Sequence, residues 1–130
     1  MGQIFVLSGI QRRLRVLICD NDEVYRIGLC ALLKSFPQIV VVGETAEPAH
    51  ALELSEVLAP HLAVVSSEFG GAALLLIEAL NREGVRILMV GTQSTCEIGR
   101  LEHPDDAYGY LAREAGAVNV VDCVQAAMPA

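Results

Sequence analysis

The chain has 130 residues, 53% of them apolar and 19% charged, which is enough for one domain with a sizeable core and unlike a disordered segment. A formal net charge of −7 excludes a broadly basic nucleic-acid-binding face, because phosphate contacts need clustered Lys and Arg. Trp is absent, aromatics are scarce, and Val, Leu, Ile and Ala dominate, the mix expected of strands covered by helices on both faces.

At the N-terminus, "MGQIFVLSGIQRR" carries too short an apolar stretch, and too few basic residues before it, for a signal peptide. No run approaches the length of a membrane span, so a soluble protein with no membrane contact is expected. Residues 1–13 read as an N-terminal extension to a domain at 14–130. Arg12, Arg13 and Arg15 read as a charged lead-in to the first strand rather than a phosphate grip. Cys19, Cys30, Cys96 and Cys123 show no C-x-x-C spacing, and His50, His61 and His103 share no metal-ligand spacing with them. No zinc site is expected, and reduced thiols without a disulfide framework point to the cytoplasm. Cys19 and Cys30 fall in apolar patterns and read as core thiols.

Two kinds of segment alternate along the chain. "LRVLIC" (14–19) is a strand, followed by a helix in "DEVYRIGLCALLKSF" with Asp22 as N-cap. The expected apolar stripe of that helix is Val24, Ile27, Leu29 or Gly28, Ala31 and Leu32, and Pro37 stops it. After the strand "IVVVGE" (39–44), "EPAHALELSEVLAP" is a helix with Pro48 in its first turn, ending at Pro60. "LAVVS" (62–66) is a buried strand running into Ser67 and Glu68. "GGAALLLIEALNREG" is a strongly apolar helix closing at Gly84. The strand "RILMVG" (86–91) leads to "STCEIGRLEHPDD", where Gly99 interrupts and Pro104 ends the pattern, so one or two helical turns at most are expected. "AYGYLA" (107–112) is a fifth strand, and "REAGAVNVVDCVQAAM" closes the chain as a helix. Five alternations predict one doubly wound α/β domain with a parallel sheet.

The motifs "VLICDND", "RIGLCALL" (26–33), "IVVVGETAEPAHALEL", "AP-HLAVVS" and "AYGYLARE" occur in an order and spacing that resembles the receiver domain of bacterial two-component response regulators. The likeness is greatest to the subfamily that precedes a LuxR-type helix-turn-helix domain, and it covers roughly residues 14–128. It implies a flavodoxin-like, five-stranded parallel sheet in the order 2-1-3-4-5 with about five helices, of which Gly99, His103 and Pro104 in this sequence would leave the fourth short or distorted. It also implies phosphorelay signal transduction and transcription regulation as the functional setting.

An active receiver gathers Mg²⁺ with two acids and an acceptor aspartate, and contacts the phosphoryl group with a Ser/Thr hydroxyl and a Lys, so that metal and cations neutralise the transferring charge. Carried over by position, the resemblance keeps only the first acid, Asp20. Asn21 replaces the second acid, Ser66 stands where the acceptor aspartate belongs, Gly91 takes the hydroxyl position with Thr92 directly after it, and Arg113 replaces the lysine. Divalent metal is therefore expected to bind weakly at Asp20 or not at all. Ser66 has no adjacent base to activate it, and a strand-end serine bonded to nearby backbone is the commoner use of such a residue. Glu68, two residues after Ser66, either reaches the pocket or is a solvated loop carboxylate, the more ordinary role. Arg113 either pairs with Asp20 across the pocket or is a solvated arginine after the last strand. Tyr108 and Tyr110 match the family's aromatic switch region, although a half-buried tyrosine at a sheet edge is the more ordinary role.

Hydrolase triads, P-loops and dinucleotide fingerprints are absent, and neither an enzyme nor a cofactor is expected. Two functions compete, with a conventional phosphoacceptor using Ser66 or a neighbouring acid as a third reading. One is a phosphorylation-independent, receiver-like regulatory module working through protein–protein contacts. It would act as a homodimer through α4-β5-α5 or neighbouring helices, with a partner regulator or a fused DNA-binding domain as output. The other is a ligand-sensing module in which Asn21, Ser66, Thr92 and Arg113 hold a small polar or anionic metabolite.

Overall fold

The computed structural model describes residues 13–102, 105 and 107–127. Five strands, β1 (Leu14–Cys19), β2 (Ile39–Thr45), β3 (Leu62–Ser66), β4 (Arg86–Gly91) and β5 (Gly109–Ala112), form one parallel sheet in the order β2-β1-β3-β4-β5. Among the described residues five α-helices connect and follow them: α1 (Glu23–Lys34), α2 (Pro48–Leu58), α3 (Leu74–Arg82), α4 (Gln93–Glu102) and α5 (Ala117–Ala126). The doubly wound fold expected from the alternation is the one observed. The proposed N-terminal extension, His103 and Pro104 fall outside the described residues, except for Arg13 at the extension's end.

Alternation along the strands explains the two cores. Leu14, Val16 and Ile18 of β1, Leu62 and Val64 of β3, and Leu88 and Val90 of β4 point to one face and pack with Leu29, Cys30 and Leu33 of α1 and Val120, Val121 and Val124 of α5. Leu17, Cys19, Ala63, Val65, Ile87 and Met89 point to the other face, against Ala51 of α2 and Leu76 and Leu80 of α3. A side chain fully withdrawn from water in this way contributes roughly 1.5–3 kcal/mol for Val, Leu or Ile, and both faces must be covered before the interior strands pay off. Cys19 and Cys30 lie in these cores as expected.

Local chemistry sets the helix ends. The Asp22 side chain accepts a hydrogen bond from the Tyr25 amide and caps α1. Pro48 opens α2, which closes on Ala59 in the left-handed conformation (φ 47°). Arg15 donates through Nε to the Ala59 carbonyl at 3.3 Å and through its guanidinium to the Leu58 carbonyl. It thus satisfies carbonyls at the α2 C-terminus instead of gripping phosphate.

Three expectations need correction. The inward stripe of α1 is Leu29, Cys30 and Leu33, flanked by the half-buried Tyr25 and Leu32, whereas Val24, Ile27, Gly28 and Ala31 are exposed. The apolar positions of this helix exceed one face, so periodicity alone offered two overlapping stripes. The segment expected as one helix from Gly70 is a 3-10 stretch, Ser67–Ala73, followed by α3, with a kink at Gly70 (φ 57°, ψ −133°) that only glycine adopts at little cost. Finally, α4 is neither short nor broken: it runs for ten residues straight through Gly99. A Cβ on Gly99 would lie 2.4 Å from Cε1 of Tyr110, so this glycine is required by the close approach of an aromatic ring and does not end the helix.

Candidate functional site

In a doubly wound sheet the carboxyl ends of the strands form the edge where ligands bind. Here that edge brings together Asp20 after β1, Ser66 at the end of β3 and Arg113 after β5. The Asp20 carboxylate is completely buried, and the Arg113 side chain is 15% exposed. Nη2 of Arg113 donates to both Asp20 oxygens, at 2.7 and 2.6 Å, and lies 3.3 Å from Oγ of Ser66. Nη1 of Arg113 donates to Oε1 of Glu68 at 3.0 Å. The amide of Asp22 donates to Oδ1 of Asp20 at 2.9 Å, turning the chain into the α1 cap.

One guanidinium therefore holds two carboxylates and a serine hydroxyl. Charge-assisted bonds of this kind are short and directional, and the planar fork of Arg reaches several acceptors that a lysine would have to share from one point. Burial works against the charge of Arg113, but the hydrogen bonds and charge of Asp20, with Glu68 and Asp22 adding to them, outweigh it and raise its pKa. The guanidinium also stacks over the Tyr25 ring, 4.9 Å from the centroid. Burial pushes the Tyr25 hydroxyl up to about 12, against the pull of the Arg113 cation. The Tyr25 hydroxyl and Nε of Arg113 are buried without a hydrogen-bond partner among the described residues.

Each residue singled out from the sequence can now be located. Arg113 takes the Asp20 pairing rather than the solvated alternative. Glu68 takes the pocket role of its two alternatives as the second acid on Arg113, with its side chain still 34% exposed. Ser66 is fully buried and its Oγ accepts from the Glu68 amide at 3.2 Å, the ordinary strand-end capping role, while also meeting Arg113. Asn21 is exposed at the rim.

Gly91 and Thr92 belong to a neighbouring arrangement. A Cβ on Gly91 would fall 1.9 Å from Oγ of Ser67 and 2.7 Å from Oγ1 of Thr95, so these two hydroxyls fill the space beside β4 that a side chain at position 91 would need. Ser67 and Thr95 are hydrogen-bonded to each other at 2.7 Å, and Thr92 accepts from the Thr95 amide at 3.2 Å, capping α4. Tyr108 is 45% exposed beneath the Arg86 guanidinium, and Tyr110 packs half-buried against Gly99 and the α2–α3 core.

Sequence reasoning missed Tyr25 and Ser67. Tyr25 sits three residues after the Asp22 cap, at a spacing that points it back toward the strand end, and this was a usable signal. Ser67 had none, because its role depends on α4 arriving alongside.

The arrangement does not suit a hard divalent cation. Both oxygens of Asp20 are bonded to a guanidinium, Glu68 is paired with the same group, and Ser66 offers a neutral hydroxyl. Among the described residues no group of three His, Cys, Asp or Glu side chains is placed to hold a metal ion. None of the described helices is long and apolar enough to cross a membrane.

No protein-family model matches the chain. A stretch of 47 residues, 36% of this chain, is 38% identical to the transcriptional regulatory protein LiaR of Bacillus subtilis and spans 22% of that protein's length. Solved structures match far more of the fold. The LuxR-family DNA-binding response regulator from Staphylococcus aureus aligns with a TM-score of 0.73 at 16% identity, over 88% of this chain and 98% of that one. The response regulator domain of Thermotoga maritima CheB gives 0.75 at 20% identity, over 90% and 97%. RcsB from Salmonella enterica serovar Typhimurium, bound to promoter DNA in the presence of a beryllofluoride phosphomimetic, gives 0.75 at 16%, over 88% of this chain and 60% of that one. With its sheet order and five helices, the chain has the flavodoxin-like fold of response-regulator receiver domains.

Proposed function

We propose that this chain is a receiver-like regulatory module of the LuxR-type response-regulator subfamily, working without phosphorylation and without catalysis of its own. The observation that carries the reading is the Arg113 guanidinium bonded to both oxygens of the buried Asp20. In a phosphorylated receiver, positive charge on the strand edge is recruited to a transient phosphoryl group. Here a permanent cation already neutralises the retained acid, and the neutral Ser66 takes the acceptor position. The state of the strand edge is then fixed by sequence, and signalling passes through contacts with other proteins.

Such a module acts in the cytoplasm as a homodimer through the α4-β5-α5 face or neighbouring helices, on which Leu101 and Tyr108 are exposed. A partner regulator or a fused DNA-binding domain supplies the output, since a net charge of −7 disfavours direct nucleic-acid binding by this chain. A metabolite bound by Asn21, Ser66, Thr92 and Arg113 is the less favoured reading, because Arg113 is engaged by Asp20 and Glu68 and Thr92 by the α4 cap.

The test is a backbone NMR titration with Mg²⁺ and then beryllofluoride, paired with intact-mass measurement after incubation with a small-molecule phosphodonor. Unshifted signals at Asp20, Asn21, Ser66 and Arg113 and an unchanged mass are the expected result. Saturable shifts spreading from those residues to Tyr110 and α4, or a phosphoryl adduct, would refute a phosphorylation-independent module.

A further inference from the structure

Beside the strand edge, and separate from the Arg113 cluster, a cleft of about 430 Å³ opens between the 3-10 segment, α3 and α4. That volume lies within the range of about 300–1,000 Å³ typical of small-molecule sites. Its walls are Leu74, Ile77, Met89, Ile98 and the Tyr110 ring. Near the N-terminal end of α4 the bonded hydroxyl pair of Ser67 and Thr95 also lines it. Glu102, roughly 10 Å further along α4 at a rise of about 1.5 Å per residue, lines it as well.

Two features mark this cleft as more than a packing defect. A Cβ placed on Gly71 would meet no atom within 4 Å, so this glycine leaves open space that a side chain could occupy. Leu74 and Ile98 stand 52% and 53% exposed across the opening, an arrangement unfavourable in water unless something covers it. The charge lining the cleft selects the occupant. Glu102 lines the cleft, and among the described residues no Lys or Arg does so.

We propose that the cleft binds a small cationic amphiphile: an apolar body seated between Leu74, Ile77, Ile98 and Tyr110, with a protonated amine directed to Glu102. An anionic amphiphile would bring its charge against the same carboxylate, and a purely polar metabolite would forgo the apolar walls. Occupancy contacts Tyr110 and the Ser67–Thr95 pair, and Ser67 directly follows Ser66 in the chain, so the ligand touches elements that adjoin the Arg113 cluster. The site stands whether or not the strand edge accepts phosphate.

The experiment is an NMR titration of the whole chain with n-octylamine, octanoate and n-octanol in parallel, repeated on Glu102→Gln and Gly71→Phe. For the amine, saturable shifts at Ile98, Gly99 and Tyr110 are expected, with octanoate at least fivefold weaker. In Glu102→Gln, a substitution at an exposed position, the preference for the amine over n-octanol should fall by up to about fivefold, the range of a partly exposed ion pair. Gly71→Phe should fill the open space and abolish the shifts while retaining the native spectrum elsewhere. If Gly71→Phe does not fold, the Glu102→Gln comparison decides alone. Equal binding of octanoate, an amine preference unaltered by Glu102→Gln, or shifts confined to other surfaces would overturn the proposal.

Discussion

Truncating Arg113 to alanine isolates the most consequential interaction in the molecule. Among the described residues, the substitution leaves the fully buried Asp20 carboxylate with the Asp22 amide, at 2.9 Å, as its remaining donor. It also removes the partner of Glu68 and the cation over the Tyr25 ring. Breaking a buried pair by deleting one member costs about 3–5 kcal/mol, because the remaining charge stays out of water without compensation. Glu68 is 34% exposed and recovers its hydration, so it adds little. Arg113→Ala should therefore lower the unfolding free energy by about 3 kcal/mol. Asp20→Asn should cost less, because the amide keeps the shape and Arg113 retains Glu68. The double variant should be far less destabilised than the sum, since a neutral residue at position 20 no longer needs the cation. Urea unfolding of the four proteins gives the cycle directly. Additive effects, or a loss below about 1 kcal/mol for Arg113→Ala, would show that the pair is solvated and would remove the basis for a permanently neutralised strand edge.

Three further outcomes follow from other parts of the structure. Gly99→Ala should destabilise by about 1–3 kcal/mol in urea unfolding, although alanine is the better helix former, because its Cβ would meet the Tyr110 ring at 2.4 Å; Tyr110→Leu in the same chain should restore most of the loss, and no rescue would mean that the ring is not the obstacle. Ala59→Gly should stabilise by roughly 0.5 kcal/mol, since relief of the left-handed conformation at φ 47° slightly exceeds the added freedom of the unfolded chain, and a lower thermal midpoint would contradict this. Burial pushes the Cys19 thiol up to about 12, with the Asp20 charge adding, and burial with the Glu44 hydrogen bond does the same for Cys30. The native state then holds these protons more tightly than the unfolded chain, so stability is full below pH 9 and declines as pH rises from 9 toward 12. Denaturation midpoints across that range should fall less steeply in Cys19→Val than in the parent, and parallel slopes would exclude Cys19 as a contributor.

Much of the fold was legible because it rests on local rules. Strands β1, β3 and β4 begin and end where short β-branched runs meet polar turns, and the α1 cap and the Pro48 start of α2 are single-residue signals. Five alternations of strand and helix leave little choice beyond a doubly wound parallel sheet, and the motifs resembling receiver domains pointed to its order. The set Asp20, Ser66 and Arg113 was also readable, because each follows or ends a strand and the fold gathers strand ends on one edge.

What the tertiary structure decided are relations between residues far apart in the chain, on which no local pattern bears. Arg113 and Asp20 are separated by 93 positions, and whether they pair or face water depends on where β5 docks against the sheet. Glu68 became a partner of that cation because the 3-10 segment places its carboxylate beside Arg113. Gly99 looked like a helix breaker until Tyr110 arrived against it from β5, and Gly91 like a lost hydroxyl until Ser67 and Thr95 filled the same space. In each case a residue's intrinsic tendency is worth about 1 kcal/mol, less than the packing or charge contact that overrides it. Periodicity and turn chemistry are properties of a few neighbouring residues and survive in the sequence; a contact between strand ends exists only once the sheet has assembled.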